Sequence, residues 1–162
     1  MRGAQSSQQT AEACGFHIFK RDHMAQALGI VLDEMEPGRS RLSMTVRDDM
    51  VNGFRMCHGG MIFSLADCAF AYSCNSHNRK TVAAGAMIEF ISAAQLGDRL
   101  TAVAEERSLV GRTGIYDVRV VDQKGELIAL FRGRSHCITG AVLPELEDSV
   151  DPEQSAAPKR TE

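Results

Sequence analysis

The sequence predicts an α+β fold in which a curved antiparallel β-sheet wraps around one long central α-helix. A segment from Gly59 to about Asn75 is almost continuously apolar, and its length and its Ala, Leu, Met and Phe content favour a helix. Four strand-like segments follow, separated by turn signals at Gly97-Asp98, Gly111-Arg112 and Lys124-Gly125. A helix that is apolar on nearly every side needs a cover, and one curved sheet supplies it.

Length and composition place the chain among globular proteins of one domain. It has 162 residues, of which 44% are hydrophobic and 24% charged. The net charge of −3 gives no electrostatic reason to expect a nucleic acid or an anionic membrane as partner. No apolar stretch reaches the roughly 18 residues of a membrane-spanning helix, and the N-terminus lacks a signal-peptide core. We therefore expect a cytoplasmic protein.

The two ends differ in composition from the body of the chain. Residues 1–21 are mostly small and polar and predict a flexible N-terminal arm. Residues 143–162, "LPELEDSVDPEQSAAPKRTE", are acidic and contain prolines, which predicts a disordered tail. The folded domain is expected over residues 22–142.

Within that domain, the elements before the long helix are short. "DHMAQALG" predicts a helix with Asp22 as N-cap and Gly29 as its end. "RLSMTV" alternates apolar and polar residues as a half-buried strand does, and "DDMVNGFRM" predicts a loop. The four strands after the helix, joined by short turns, predict an antiparallel meander. The uniformly apolar helix and the open sheet edges predict a symmetric homodimer, or a dimer of such dimers.

The cysteines and histidines do not form a metal-binding pattern. The sequence has five cysteines, none in a C-x-x-C pair, and three of them lie in or beside the apolar helix. We interpret them as small buried hydrophobic residues in a reducing compartment. His58, His77 and His136 are scattered along the chain. We therefore expect no metal and no cofactor.

The start of the long helix is a candidate site for a reacting carbonyl group. A helix that begins at Gly59-Gly60 leaves its first backbone N–H groups without intrahelical partners, and glycine allows close approach to them. With the helix dipole, these amides favour an oxygen that develops negative charge. The alternative is that the two glycines only make a tight turn.

Asp67 is the one charged residue inside the apolar helix. A buried carboxylate is costly without partners, which makes Asp67 a candidate catalytic group. Two alternatives are a hydrogen bond with Ser64 and a role in fixing the register of a dimer. Asp67 lies about 12 Å along the helix from Gly59, too far to act on a carbonyl held there. An antiparallel helix from a second subunit would bring Asp67 to Gly59 and create two shared active sites.

Several motifs together resemble the hotdog-fold acyl-CoA thioesterases. They are "NGFRMCHGGMIFSLADCAFAYSCNS", "GRTGIYDVRVVD" and "ALFRGRSH", and the similarity extends over roughly residues 22–139. Within that family the chain is most similar to the phenylacetyl-CoA thioesterases of bacterial phenylacetate degradation. The resemblance implies an antiparallel sheet wrapped around a long helix, dimers with paired sheets and commonly tetramers.

The resemblance also implies roles for four residues. The Gly59 amide would polarise the thioester carbonyl, and Asp67 would act as nucleophile or general base. Asn52 would orient water or substrate, and His58 would shape the carbonyl pocket or simply pack the loop. Some members of the family place a hydroxyl on the strand after the helix, where this chain has Ala83, Ala84 and Gly85.

The implied substrates are phenylacetyl-CoA or ring-hydroxylated aryl-acetyl-CoA thioesters, with coenzyme A as part of the substrate. Basic or hydroxyl side chains that could bind its phosphates are Arg112, Thr113, Arg132 and Arg134. Phe54, Met61, Phe63 and Tyr72 are candidates for the acyl pocket, although core packing explains them equally well. Two other functions stay open, a hotdog-fold dehydratase acting on thioesters and a non-catalytic module that binds CoA thioesters.

Overall fold

The computed structural model describes residues 6–149 and has the predicted α+β architecture. One six-stranded antiparallel sheet packs against one long helix, α3. In chain order the helices and strands are α1 (Ser7–Phe19), α2 (His23–Ala27), β1 (Val31–Glu36), β2 (Arg39–Thr45), α3 (Gly59–Cys74), β3 (Thr81–Phe90), β4 (Arg99–Val110), β5 (Thr113–Val121) and β6 (Leu127–Cys137). Short 3₁₀ helices cover Asp48–Met50 and Pro144–Ser149.

The strand order is β1-β2-β4-β5-β6-β3, so the predicted four-strand meander is only partly correct. Strands β4, β5 and β6 form a meander, but β3 pairs with β6 at the edge of the sheet. The connection from β3 to β4 crosses the sheet instead of forming a hairpin. Two backbone hydrogen bonds hold this connection: the Ala94 carbonyl accepts one from the Cys57 N–H, and the Asp98 carbonyl accepts one from the Val46 N–H.

Helix α3 buries most of its surface against the sheet. Leu65, Ala69 and Phe70 are fully buried, and the ring of Phe70 packs on Tyr116 and Phe131 from β5 and β6. Aromatic pairs of this kind add about 0.5–1.5 kcal/mol beyond the burial of their area. The inner face of α3 therefore anchors the core.

One stripe along α3 is not covered by the sheet. Gly60, Ser64, Asp67 and Ala71 follow one another at spacings of three or four residues, so they lie on one face of the helix. All four are exposed or half-buried. Three of the four are small, which leaves room beside Asp67 for the close approach of another element.

The two edges of the sheet differ. Helix α1 packs against β1, and the Gln8 side chain donates a hydrogen bond to the Met35 backbone oxygen at 2.8 Å. At the other edge, β3 exposes Val82, Met87 and Phe90, which are 45%, 62% and 52% accessible. An apolar edge strand with unpaired backbone groups is a site for strand association.

The prediction of a flexible arm is wrong for residues 7–19, which form α1. Ser6 and Gln9 make a reciprocal capping box at its start, and Ala11 and Cys14 are fully buried. The Cys14 thiol contacts the Asn78 side chain at 3.6 Å. Local capping and tertiary burial therefore order a segment whose composition is that of a coil. Residues 1–5 lie outside the described residues.

The first part of the predicted tail is also ordered. Leu143 is buried, and the Asn78 side chain accepts a hydrogen bond from its N–H at 2.8 Å and donates one to its carbonyl at 3.1 Å. The predicted disorder of residues 150–162 lies outside the described residues. No helix between residues 6 and 149 is long and apolar enough to cross a membrane.

Candidate active site

The N-terminus of α3 presents one backbone amide that the rest of the described chain leaves unpaired. His58 is the N-cap, and its Nδ1 accepts a hydrogen bond from the Gly60 N–H at 3.1 Å. The Gly59 N–H donates to no group within residues 6–149. Because the cap takes up the Gly60 donor, Gly59 supplies the available N–H at this positive end of the helix dipole.

His58 thus has a structural role, as the cap of α3. A ring nitrogen that accepts a hydrogen bond carries no proton, so the neutral ring has its proton on Nε2. The side chain as a whole is exposed, and it lies directly beside the Gly59 amide. The two sequence-based interpretations of His58 are compatible, because capping the helix also shapes the surroundings of that amide.

Asn52 lies at the same end of α3 and holds the preceding loop. Its Oδ1 accepts hydrogen bonds from the N–H groups of Phe54 at 2.9 Å and Met56 at 3.2 Å. The Nδ2 group donates to nothing within the described residues. The oxygen of Asn52 is therefore committed to the loop, and its amide hydrogens remain available to a ligand.

A cavity of about 330 Å³ lies next to Gly59. Asn52 and Gly59 share this cavity with Met56, Cys57, Ile62, Phe90, Ile91, Ser92, Ala93 and Ala94. The ring of Phe90 packs on Gly59 so closely that a Cβ at residue 59 would lie 2.9 Å from its Cζ atom. The mostly apolar lining suits an acyl group, and the lack of a side chain at Gly59 lets the Phe90 ring approach the backbone this closely.

Asp67 does not line this cavity. It is half-buried on the uncovered stripe of α3 and makes no hydrogen bond within residues 6–149. The Ser64 hydroxyl donates to the Gly60 carbonyl at 2.8 Å, so the predicted alternative of a Ser64–Asp67 pair is wrong. Burial, and to a lesser degree the Asp22 carboxylate, raise the pKa of Asp67 above its usual value.

The four candidates for coenzyme A binding lie on or beside the strands, and none of them lines the Gly59 cavity. Arg112 donates to the Cys137 carbonyl at 2.8 Å, and Arg134 donates to the Ala84 carbonyl at 2.9 Å. Thr113 begins β5. Arg132 forms a two-point ion pair with Asp117, at 2.6 and 2.8 Å. A phosphate would have to compete with that carboxylate for Arg132, and a coenzyme A role for all four stays a prediction.

The aromatic candidates for the acyl pocket lie elsewhere. Tyr72 is fully buried, Phe63 packs edge-on against Phe131 at 5.4 Å between ring centroids, and Phe54 is 84% exposed on the loop. Met61 is partly buried against the core. Sequence reasoning missed the residues from Phe90 to Ala94, which line the Gly59 cavity. Neither the apolar end of β3 nor the segment that follows it carried a signal that it reaches the start of α3.

Four of the five cysteines are buried as the sequence predicted, whereas Cys137 is only partly buried. Cys14, Cys57, Cys68 and Cys74 are buried, and all five thiols are free. Burial raises the pKa of Cys68 and of Cys74 to about 12, so neither forms a thiolate at neutral pH. No group of three His, Cys, Asp or Glu side chains within the described part of the chain is arranged to hold a metal ion.

Comparison with known proteins assigns the chain to a family. The family model of the thioesterase superfamily matches residues 54–129, which include the Gly59 amide, Asp67 and α3. The acyl-coenzyme A thioesterase PaaI of Escherichia coli is 44% identical over 128 residues, which are 79% of this chain and 91% of that protein. The chain therefore belongs to the thioesterase superfamily.

Solved structures agree with this assignment and with the hotdog fold. The structure of the E. coli PaaI protein from the phenylacetic acid degradation operon matches with a TM-score of 0.83 and 43% identity. That match covers 84% of this chain and 99% of the other. The TT0310 protein of Thermus thermophilus matches with a TM-score of 0.70 and 35% identity, over 73% of this chain and 99% of that one.

Proposed function

We propose that the protein hydrolyses acyl-CoA thioesters to a free acid and coenzyme A. The observation that carries this proposal is the unpaired Gly59 N–H at the start of α3, beside an apolar cavity that Asn52 also lines. An amide in this position stabilises the oxyanion that forms when a thioester carbonyl is attacked. The E. coli relative, named as an acyl-coenzyme A thioesterase, supports the same reaction.

The chemistry can follow two routes from the same groups. As a general base, Asp67 takes a proton from water while the water oxygen bonds to the carbonyl carbon; the carbon–sulfur bond then breaks and coenzyme A leaves as a thiol. As a nucleophile, the Asp67 carboxylate bonds to that carbon and the carbon–sulfur bond breaks, so coenzyme A leaves as a thiolate and a mixed anhydride remains. Water then opens the anhydride to the free acid and the Asp67 carboxylate, and the proton that this hydrolysis releases neutralises the thiolate. In both routes the Gly59 N–H binds the developing negative charge. The free amide hydrogens of Asn52 would orient the water or the carbonyl group.

The proposed active site combines two subunits. Gly59 and Asp67 lie about 12 Å apart along one helix, so they cannot act on one carbonyl within a single chain. Asp67 lies on the stripe of α3 that the sheet leaves open, where small residues allow an antiparallel α3 of a partner to approach. The exposed apolar edge of β3 supports the same association, because two such strands would extend the sheet across the dimer.

Asp67 has to be ionised in either route, although burial raises its pKa. The positive end of the partner helix, next to the partner's Gly59, would oppose that effect and keep the carboxylate charged. Asp67 has no hydrogen bond within the described residues, which supports this arrangement, since a half-buried carboxylate needs a partner.

The proposed assembly is a homodimer with two shared sites, and we propose that two dimers form a tetramer. The outer face of the sheet has a depression of about 580 Å³, with Met87 and Leu130 among its apolar residues. Arg107 and Arg132, which both pair with Asp117, lie at the same surface. A surface with apolar and paired charged groups suits association of the two dimers.

The favoured substrates are phenylacetyl-CoA and ring-hydroxylated aryl-acetyl-CoA. Support comes from the relatives connected by name with phenylacetic acid degradation and from the apolar Gly59 cavity. In such a pathway the enzyme would release coenzyme A from thioesters that are not processed further.

A hydrolysis screen over a panel of acyl-CoA thioesters, following release of free thiol, tests the proposal. We expect turnover to be fastest with aryl-acetyl thioesters. Asp67→Asn should lose turnover and still bind the thioester in calorimetry. Hydration or dehydration of enoyl thioesters without hydrolysis would indicate a dehydratase, and binding without turnover by the unmodified protein would indicate a binding module.

A further inference from the structure

The outer face of the sheet carries balanced charges, two of which have no partner in the described chain. The depression of about 580 Å³ on this face is lined by three acidic and three basic residues: Glu89, Glu105, Asp117, Arg107, Arg119 and Arg132. Arg107 binds Glu105 at 2.9 Å and Asp117 at 3.1 Å. Arg132 binds Asp117 at 2.6 Å. Glu89 and Arg119 are exposed, and neither side chain makes a hydrogen bond or an ion pair within residues 6–149.

These two charges lie in one row that crosses three neighbouring strands. Arg119 of β5 is directly opposite Leu130 of β6, and Leu130 is directly opposite Glu89 of β3. Adjacent strands are about 4.8 Å apart, so the backbones of Arg119 and Glu89 are separated by about 10 Å. The Leu130 side chain, 45% accessible, stands between them. Across the sheet the row therefore consists of a base, an apolar residue and an acid.

A second copy of this face would provide a partner for both charges at once. When two identical faces pack on each other, the two-fold axis lies in the plane between them. An axis parallel to the strands and above Leu130 places each Arg119 opposite the partner's Glu89. An axis across the strands would instead place Arg119 opposite the partner's Arg119, and like charges in contact are strongly disfavoured. The row thus distinguishes the two ways of packing the sheets with their strands aligned.

We propose that Arg119 and Glu89 determine how two dimers pack through the outer faces of their sheets, each Arg119 pairing with Glu89 of the partner subunit. This inference rests on the tetramer proposed above and is independent of the hydrolytic reaction. The ion pairs that Asp117 makes within the chain bring no unpaired charge into the contact. Leu130 and Met87, the latter 62% accessible, supply apolar area at its centre.

Reversing one charge, and then both, tests this pairing. Arg119→Glu places two carboxylates against each other, and Glu89→Arg does the same with two guanidinium groups. Each single variant is expected to raise the dissociation constant of the tetramer into dimers about 100-fold or more. The double variant Arg119→Glu/Glu89→Arg restores opposite charges and is expected to form tetramers again, with a dissociation constant within about tenfold of the original.

Glu126→Arg is the matched control. It makes the same change of charge as Glu89→Arg, at an exposed residue in the turn between β5 and β6 that does not line the depression. We expect its tetramer to be as stable as that of the unmodified protein. Sedimentation equilibrium over a range of protein concentrations measures the mass, and circular dichroism verifies that each variant is folded.

Three results would overturn the proposal: tetrameric single variants, a folded double variant that stays dimeric, or an unmodified protein that is dimeric at every concentration. None of them affects the proposed reaction, because Gly59 and Asp67 are expected to meet at the other contact between subunits. Dimeric single variants should therefore still release thiol from acyl-CoA. Tetramers that respond to charge reversal as described but release no thiol would contradict the proposed function and leave this inference supported.

Discussion

Replacing Gly59 with alanine is expected to abolish most of the activity while leaving the fold intact. The new Cβ would lie 2.9 Å from Cζ and 3.3 Å from Cε1 of Phe90, so the ring has to move. Phe90 is half-exposed and is able to turn aside, and alanine is favoured over glycine in a helix by up to about 1 kcal/mol. The free energy of unfolding should therefore change little.

The loss of rate follows from blocked access to one oxyanion donor. The methyl group and the displaced ring would stand between the substrate carbonyl and the residue 59 amide. Loss of a single such donor costs about 2.7–4 kcal/mol in the transition state, a 10²–10³-fold decrease in kcat. Initial rates of thiol release measure the change in kcat, and thermal unfolding measures whether the stability of the fold is unchanged.

Gly60→Ala is the matched control for this prediction. Its Cβ would lie 3.3 Å from His58 Nδ1, and its amide already donates to that atom. We expect its effect to stay within about 0.5 kcal/mol, roughly twofold in rate. Equal losses in the two variants, or an unchanged rate in Gly59→Ala, would refute the assignment of the Gly59 amide.

Three further predictions concern other groups of the site and the core. Asp67→Asn should lower kcat about 10²–10⁴-fold, because the proposed base or nucleophile is lost. It should also unfold at a higher temperature at neutral pH, because burial raises the pKa of Asp67, so ionising this carboxylate as the pH rises costs folding free energy that asparagine avoids. In Phe90→Ala the kcat/KM ratio of phenylacetyl-CoA to hexanoyl-CoA should fall about two- to tenfold through loss of an aromatic contact, measured by competition. In native protein, iodoacetamide at neutral pH should alkylate the partly exposed Cys137 and spare Cys68 and Cys74, which mass spectrometry of the peptides measures. Rapid labelling of Cys68 and Cys74 would contradict their burial.

The sequence was sufficient to predict α3 and the open amide at its start, because the information is local. A glycine pair at the start of an apolar run marks both a helix N-terminus and an approachable amide. Asp67 was identifiable as unusual from its apolar neighbours alone. That Ser64 does not pair with Asp67 was not predictable, because the direction of the Ser64 hydroxyl depends on side-chain geometry and not on the spacing of the two residues.

Sheet order and the contacts between distant elements were not predictable in the same way. The segment after Phe90 looks like a short turn, yet it crosses the sheet and brings Phe90 to Gly59. The pair of Asp117 and Arg132 forms because the two residues are directly opposite on neighbouring strands, which depends on register. The capping box of Ser6 and Gln9 was a local signal for α1, and polar composition concealed it.

The central claim, that each active site takes Gly59 from one chain and Asp67 from another, is tested most directly with mixed dimers. Gly59→Ala and Asp67→Asn subunits, each inactive alone, are combined in equal amounts and allowed to exchange. Random pairing makes about half of the dimers mixed, and each mixed dimer has one intact site of two. If each site is shared between two chains, roughly a quarter of the unmodified activity is recovered, whereas no recovery would contradict the shared site.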